Sequence, residues 1–293
     1  MASLKDLRKR IASVISTQQI TRAMKLVSAA KLRRAQDSII TLRPYENNLT
    51  ELSRYLRHSV DEHSPVYPLF ATRPLRRVLI VLVTSDKGLC GAYNSTLTKY
   101  LAAHVKKQYR NKDISLDFIG IGQKGLIFLA KQRWSMVRKY PNYLARFNFE
   151  KARSLADELV DLFRSGTYDR IEIAYNQFKN ALVYIPTVEP FLPMSSPKEE
   201  RTSAQVHPNF LFEPSENELL EVLVPQILRT QIFRILSDAH TSEHGARMTA
   251  MDNATENASE LIRELRIQYN KARQAAITKE LSEIIGGANA LEG

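Results

Sequence analysis

The sequence predicts an α/β fold in two parts: an open α/β layer, inserted between two long terminal helices that pair as an antiparallel coiled coil. Three observations predict it. Heptad-spaced apolar residues recur at both ends of the chain. Between them, apolar runs of strand length alternate with helical segments. The first 43 residues contain neither Gly nor Pro, which suits a long helix.

Ser3-Leu-Lys-Asp6 fits a capping box that opens the first helix. Behind it Leu4, Leu7, Ile11 and Val14 follow the 3-4-3 spacing of a coiled-coil seam. The seam turns polar through Ser16-Thr17-Gln18-Gln19 and is expected to resume with Ile20, Met24 and Val27. Pro44 is expected to kink or end this helix, with Tyr45 to Arg57 continuing in the same direction. Unbroken, residues 3–57 would span ~80 Å at 1.5 Å per residue, too long for one domain of this size.

Val78-Leu-Ile-Val-Leu-Val83 has no polar alternation, which predicts a parallel strand buried on both faces. A loop, Asp86 to Gly91, and a helix from Ala92 to Lys107 follow. Next come a strand Leu116 to Ile121, a helix Gly125 to Lys131, a short strand near Val137, a helix Glu150 to Arg164 and a strand Arg170 to Tyr175. This alternation argues for an open α/β layer with right-handed crossovers. Leu182 to Val188 reads as a last strand at an edge.

Pro190, Pro193, Pro197 and Pro208 mark a linker, so the expected division is 1–57, 75–190, a linker 191–213, and 214–293. Ser215-Glu-Asn-Glu218 is a second capping box, and Pro225 and Gly245 are expected to interrupt the helix locally. Its seam reads Met251, Ala254, Ala258, Leu261 and Leu265, then, after a break in phase, Ile277, Leu281, Ile284, Ala288 and Leu291. Such small residues let two backbones approach closely and make a narrow shaft. Gly286-Gly287 marks either the helix end or a place of close approach, and the small apolar tail beyond it suits a greasy socket on a partner.

Charge adds a second constraint. The net charge of +11 is uneven: residues 1–43 carry +8, whereas 239–293 carry −2. A basic helix suits an acidic partner, whether nucleic acid, anionic lipid or acidic protein loops. The longest apolar run, Val78 to Val83, is far too short to span a membrane. The basic, Ser-containing opening resembles a transit peptide but continues without a seam into the next segment, and is read as mature protein. Cys90, the one cysteine, excludes an internal disulfide and fits a reducing compartment.

Three motifs invite chemistry. Gly120-Ile-Gly-Gln-Lys-Gly125 follows a strand and opens a helix, as in a dinucleotide site of Rossmann-like folds. It belongs to the second strand of the layer, however, and the expected acid ~20 residues on is missing. A tight turn is the better reading. His240-Thr-Ser-Glu-His244 has the H-x-x-E-H spacing of a zinc protease but lacks an evident third ligand and pocket. Cys90 reads as a small, partly buried residue. No elbow serine and no phosphate-binding loop are encoded. The expectation is no catalysis, no cofactor and no metal.

Thr84-Ser-Asp-Lys-Gly-Leu-Cys-Gly91, Thr21-Arg-Ala-Met-Lys-Leu-Val-Ser-Ala-Ala-Lys31, Ala246-Arg-Met-Thr-Ala-Met-Asp-Asn-Ala-Thr255 and Tyr269-Asn-Lys-Ala-Arg-Gln-Ala-Ala-Ile-Thr-Lys-Glu-Leu281 resemble the gamma subunit family of F-type ATP synthases from end to end. The resemblance implies a non-catalytic central rotor shaft, standing in a hexamer of alpha and beta subunits. The α/β domain would lie against the epsilon subunit and the membrane c ring, so that proton flow drives the beta sites in turn. It implies that Met24 and Arg247 lie near acidic lever loops of beta, and that Arg273, Gln274 and Thr278 face the loops that catch the shaft higher up. It implies no nucleic acid partner, and membrane association only through the complex. The expected place is the cytoplasmic face of a bacterial inner membrane, with the matrix side of the mitochondrial one as alternative. The chain lacks the inserted regulatory cysteine pair of the chloroplast branch. A nicotinamide-dependent enzyme and a coiled-coil nucleic-acid binder are the competing classes.

Overall fold

The computed structural model describes residues 3–56, 63–109, 113–146, 148–194 and 215–292. The elements run α1 (Leu4–Leu56), β1 (Arg77–Val83), α2 (Tyr93–Tyr109), β2 (Ser115–Ile121), α3 (Gln123–Lys131), β3 (Ser135–Tyr140), α4 (Phe149–Arg164), β4 (Arg170–Phe178), β5 (Tyr184–Leu192) and α5 (Glu216–Glu292). Contacts divide the chain into two compact units, residues 1–28 with 247–293, and residues 29–246. These units are defined by contacts, whereas the division expected from composition, 1–57, 75–190, 191–213 and 214–293, is defined by connections. Of the expected linker 191–213, residues 195–213 lie outside the described residues.

The first unit is a two-helix antiparallel coiled coil. Gln18 Nε2 donates to Ser259 Oγ (2.6 Å), the Thr21 and Thr255 hydroxyls are 2.8 Å apart, and Lys25 Nζ meets Asp252 Oδ1 at 2.5 Å. As one partner's number rises the other's falls, which is antiparallel pairing. Ser3 Oγ accepts from Asp6 N at 3.2 Å, so the predicted cap forms.

The seam departs from the sequence expectation. Counting 3-4 from Leu4 gives Leu7, Ile11, Val14, Gln18, Thr21, Lys25 and Ser28, every one buried or half-buried. Ile20 and Val27 are each 58% exposed. The heptad therefore keeps its phase through a polar stretch and does not shift to the nearest aliphatics. Opposite it Met251, Ala258, Ile262 and Leu265 are buried, so Ile262 takes the place expected of Leu261. Ile277, Leu281 and Ile284 are exposed. The register explains this: α1 begins at Leu4, whose level on α5 is near residue 272, so a seam beyond that level has no facing turn of α1.

The helices continue through the residues expected to interrupt or end them. α1 passes through Pro44, and α5 passes through Pro225, Gly245 and the Gly286-Gly287 pair. A helix interior tolerates each at ~1 kcal/mol for Gly and ~3 for Pro when packing along its length outweighs the penalty.

The second unit is a three-layer α/β body. Its sheet has the order β3-β2-β1-β4-β5, with β1–β2, β2–β3 and β1–β4 parallel and β4–β5 antiparallel. β1 lies centrally, and its uniform hydrophobicity now has a cause. Leu79, Val81 and Val83 face the core shared with α4 and α5, while Val78, Ile80 and Leu82 face that of α2 and α3. The last strand begins at Tyr184, not Leu182, because the Asn180 side-chain oxygen accepts from both Leu182 N and Val183 N and holds them in the turn.

Buried polar groups tie the layers together. Glu172 on β4 accepts from Tyr109 Oη at 2.7 Å, and its other oxygen meets His104 Nε2 at 2.9 Å. Burial raises the Glu172 pKa, but the hydrogen bonds from His104 and Tyr109 and the charges of His104 and Arg170 outweigh it, leaving a value below the ordinary 4.5. A carboxylate depressed on folding stabilises the fold above its unfolded value and loses that contribution as pH falls through the lower, folded one. Glu172→Gln is therefore expected to flatten the fall of melting temperature with pH below about pH 4.5, while lowering it modestly at pH 7; thermal melts across pH 2.5–7 check this.

Candidate subunit-contact site

The glycine motif is closed by its own chain. Gly122 has φ +88, and a Cβ there would lie 2.1 Å from the Thr84 carbonyl oxygen. The first amides of α3, which would cradle a phosphate, are already committed. Asp86 Oδ1 accepts from Gln123 N (3.0 Å) and Asn142 N (2.7 Å), the Ser85 carbonyl from Lys124 N (3.1 Å), and Thr84 Oγ1 from Gly125 N (2.7 Å). Glycines serve here to dock the β2–α3 turn onto β1.

The carboxyl end of the sheet, where open α/β folds take ligands between diverging crossovers, is likewise filled. Tyr93 Oη donates to the Ala239 carbonyl of α5 (2.8 Å), Ser242 Oγ to the Asn176 carbonyl (3.2 Å), and Asn176 Nδ2 to the Tyr93 carbonyl (3.1 Å). Burial, then the nearby Glu243 charge, raises the Tyr93 hydroxyl well above its ordinary range, so it stays a donor. Gly245 lets α5 pass: a Cβ would sit 2.8 Å from the Ala181 oxygen. His240 and His244 bring their Nε2 atoms within 3.2 Å of each other, and no group of three or more metal-binding side chains occurs among the described residues. Cys90 is buried, with Asn94 Nδ2 3.2 Å from its sulfur.

The five residues that the resemblance implies as contacts fall at separate levels. Met24 is half-buried at the flank of the polar seam. Its level on the opposite helix is near Asp252, so Arg247 lies about five residues, or ~8 Å of axial rise, away. Arg247 itself is only 8% exposed. Arg273, Gln274 and Thr278 are exposed, with the Thr278 hydroxyl donating to the Gln274 carbonyl at 3.0 Å. Sequence reasoning missed the surface around Met24. Because the heptad runs through polar residues, Ile20, Leu26 and Val27 face outward at 58%, 64% and 58% exposure. An unbroken count from Leu4 finds that surface; following the aliphatic residues hides it.

The chain thus combines a two-helix coil with an α/β body in which α5 covers the carboxyl end of the sheet. The family model described as ATP synthase matches residues 3–291. The ATP synthase gamma chain of Cytophaga hutchinsonii is 45% identical over 298 residues, covering 99% of each chain. That of Flavobacterium johnsoniae is 46% identical over 295 residues and covers both fully. Among solved structures, a chain of the Euglena gracilis mitochondrial ATP synthase OSCP/F1/c-ring assembly shares the fold at TM-score 0.65 and 20% identity, covering 98% of this chain and 94% of that one. A chain of the Tetrahymena thermophila central stalk and c ring does so at 0.58 and 23%, covering 80% and 99%. The chain belongs to the ATP synthase gamma chain family, the central-stalk subunits of F-type ATP synthases.

Proposed function

We propose that this chain is the rotor shaft that couples proton flow through a membrane c ring to conformational cycling of beta catalytic sites, in a hexamer of alpha and beta subunits. The observation that carries the reading is the inside-out segment of α1. Over residues 18–28 the seam is polar, while Ile20, Leu26 and Val27 face outward. A soluble two-helix coil gains nothing from that arrangement, because exposed aliphatics are stabilised only when a further surface covers them.

Chemistry of ATP belongs to the beta subunits in this reading, and the shaft has no catalytic role. Two helices cannot present three equivalent faces, so each beta subunit meets a different surface and one site is favoured over the others at every angle. Met24 and the small part of Arg247 left exposed (8%) serve the lower lever loops, and Arg273, Gln274 and Thr278 the upper catch. The basic surface of α1 attracts acidic loops. The exposed Ile277, Leu281, Ile284 and Ile285 enter the apolar socket of the hexamer. The epsilon subunit and the c ring bind the α/β body, and the complex holds the chain at the cytoplasmic face of a bacterial membrane. No nucleic acid takes part.

Met24→Lys tests this. It sets a cation beside outward aliphatics at a surface that changes partners with angle, so it binds unequally across the cycle. The expected result in membranes carrying the whole complex is unchanged assembly and ATP hydrolysis within about threefold of wild type. The proton gradient formed per ATP should fall several-fold. Pumping in full proportion to hydrolysis would overturn the reading.

A further inference from the structure

Helix α5 lies on the sheet through a stripe that includes Leu228, Ile232, Ile235 and Ala239, all buried. Apolar packing is non-directional and does not by itself fix the rotation of a helix about its own axis. Polar contacts on both flanks do.

On one flank Arg234 Nη2 donates to Glu189 Oε1 (2.7 Å) and Nη1 to Tyr175 Oη (3.0 Å), while Tyr175 Oη donates to Glu189 Oε2 (2.7 Å). Gln231 Nε2 adds a fourth bond to Glu189 Oε1 at 2.9 Å. Arg234 Nη1 also lies 3.8 Å from Asp238 on its own helix. On the other flank Arg229 Nε donates to Asp157 Oδ1 of α4 at 2.7 Å. Residues 229 and 234 are five apart, so their side chains leave the helix about 140° from each other. The pins thus run to different elements, β4–β5 and α4, from opposite sides of the apolar stripe. Rolling α5 either way stretches one of them, and hydrogen bonds weaken steeply with distance and angle. Burial raises the Glu189 pKa, but Arg234 and the hydrogen bonds outweigh it and keep the carboxylate charged.

We propose that Arg234–Glu189–Tyr175 and Arg229–Asp157 are positioning groups, a pair of anti-roll pins that carry torque between the α/β body and helix α5. This rests on the rotor reading. Both ion pairs are half-buried, and replacing such partly desolvated pairs by apolar residues of equal volume is often close to neutral for stability, so their role separates from stability in one experiment.

The full-length chain, assembled in the complex, is compared with a variant carrying Arg234→Met, Glu189→Leu, Tyr175→Phe and Arg229→Met. Its melting temperature is expected to stay near wild type and its ATPase without a proton gradient to remain within about twofold. Under a growing gradient the helix slips, and the steady gradient supported by ATP falls at least fivefold. Glu189→Gln alone, which keeps an acceptor oxygen for Arg234, is expected to retain most of it. If the fourfold variant does not fold, Arg234→Lys with Arg229→Lys keeps the charge but loses the forked donors, and an intermediate loss is expected. A full gradient in either variant, with wild type pumping normally, overturns the pins and leaves the rotor reading intact. Absence of coupled pumping with the wild-type chain overturns both.

Discussion

Gly122→Ala is expected to destabilise the α/β body by about 4 kcal/mol. Two independent penalties meet at this residue. Its φ of +88 lies where a side chain is strained, which contributes roughly 1–3 kcal/mol. The added methyl would also sit 2.1 Å from the Thr84 carbonyl oxygen and 2.9 Å from the Thr84 hydroxyl. Both are anchored: Thr84 N and Oγ1 bond the Ile121 carbonyl, and Gly125 N bonds Thr84 Oγ1. Relief must therefore move backbone, at another 1–3 kcal/mol. For a body of this size the melting temperature should fall by roughly 10 °C. Gly88→Ala is the internal control, since a Cβ there meets only the flexible end of Lys124 at 3.7 Å, and it should melt within a degree or two of wild type. Calorimetry of both variants decides it, and equal melting temperatures would refute the account.

Removing residues 3–28 is expected to abolish activation of the catalytic subunits. The deletion strips the partner from Met251, Ala258, Ile262 and Leu265, and from the Thr255 and Asp252 groups that pair across the seam. A lone helix is marginal in water without a packed apolar face, so α5 beyond Arg247 should fray. Circular dichroism should show a loss of helix larger than the deleted residues account for. ATPase of alpha and beta subunits reconstituted with the truncated chain should stay at the level seen without any chain. Removing residues 284–293 should weaken activation only partly, because contact is spread along the shaft. Full activation by the form lacking residues 3–28 would refute the rotor reading.

The elements were largely legible in the sequence because each follows a local rule. The Val78 to Val83 run announced a strand covered on both sides, and the Ser3 and Ser215 caps marked two helix starts. Pro225 and Gly245 misled, and Pro44 does not end α1, because local penalties of ~1–3 kcal/mol compete with packing spread over helices 53 and 77 residues long. The sockets and lever loops implied for Met24, Arg273, Gln274 and Thr278 belong to other chains, so no pattern within this one specifies them.

By itself the sequence determined the α/β body, the two terminal helices and, through long shared motifs, the family. The tertiary structure alone decided which side of each helix faces inward. Hydrophobicity pointed to Ile20 and Val27 as seam residues, whereas the partner helix packs against Gln18, Thr21 and Lys25, since a two-stranded coil must keep its heptad phase to keep its contact line. It decided, too, that the glycine motif is a joint: whether helix amides await a phosphate depends on what else reaches them, and Asp86, 36 residues before Gly122, reaches them first. Periodicity is written locally along the chain, but the occupancy of a face or an amide is fixed by residues distant in sequence.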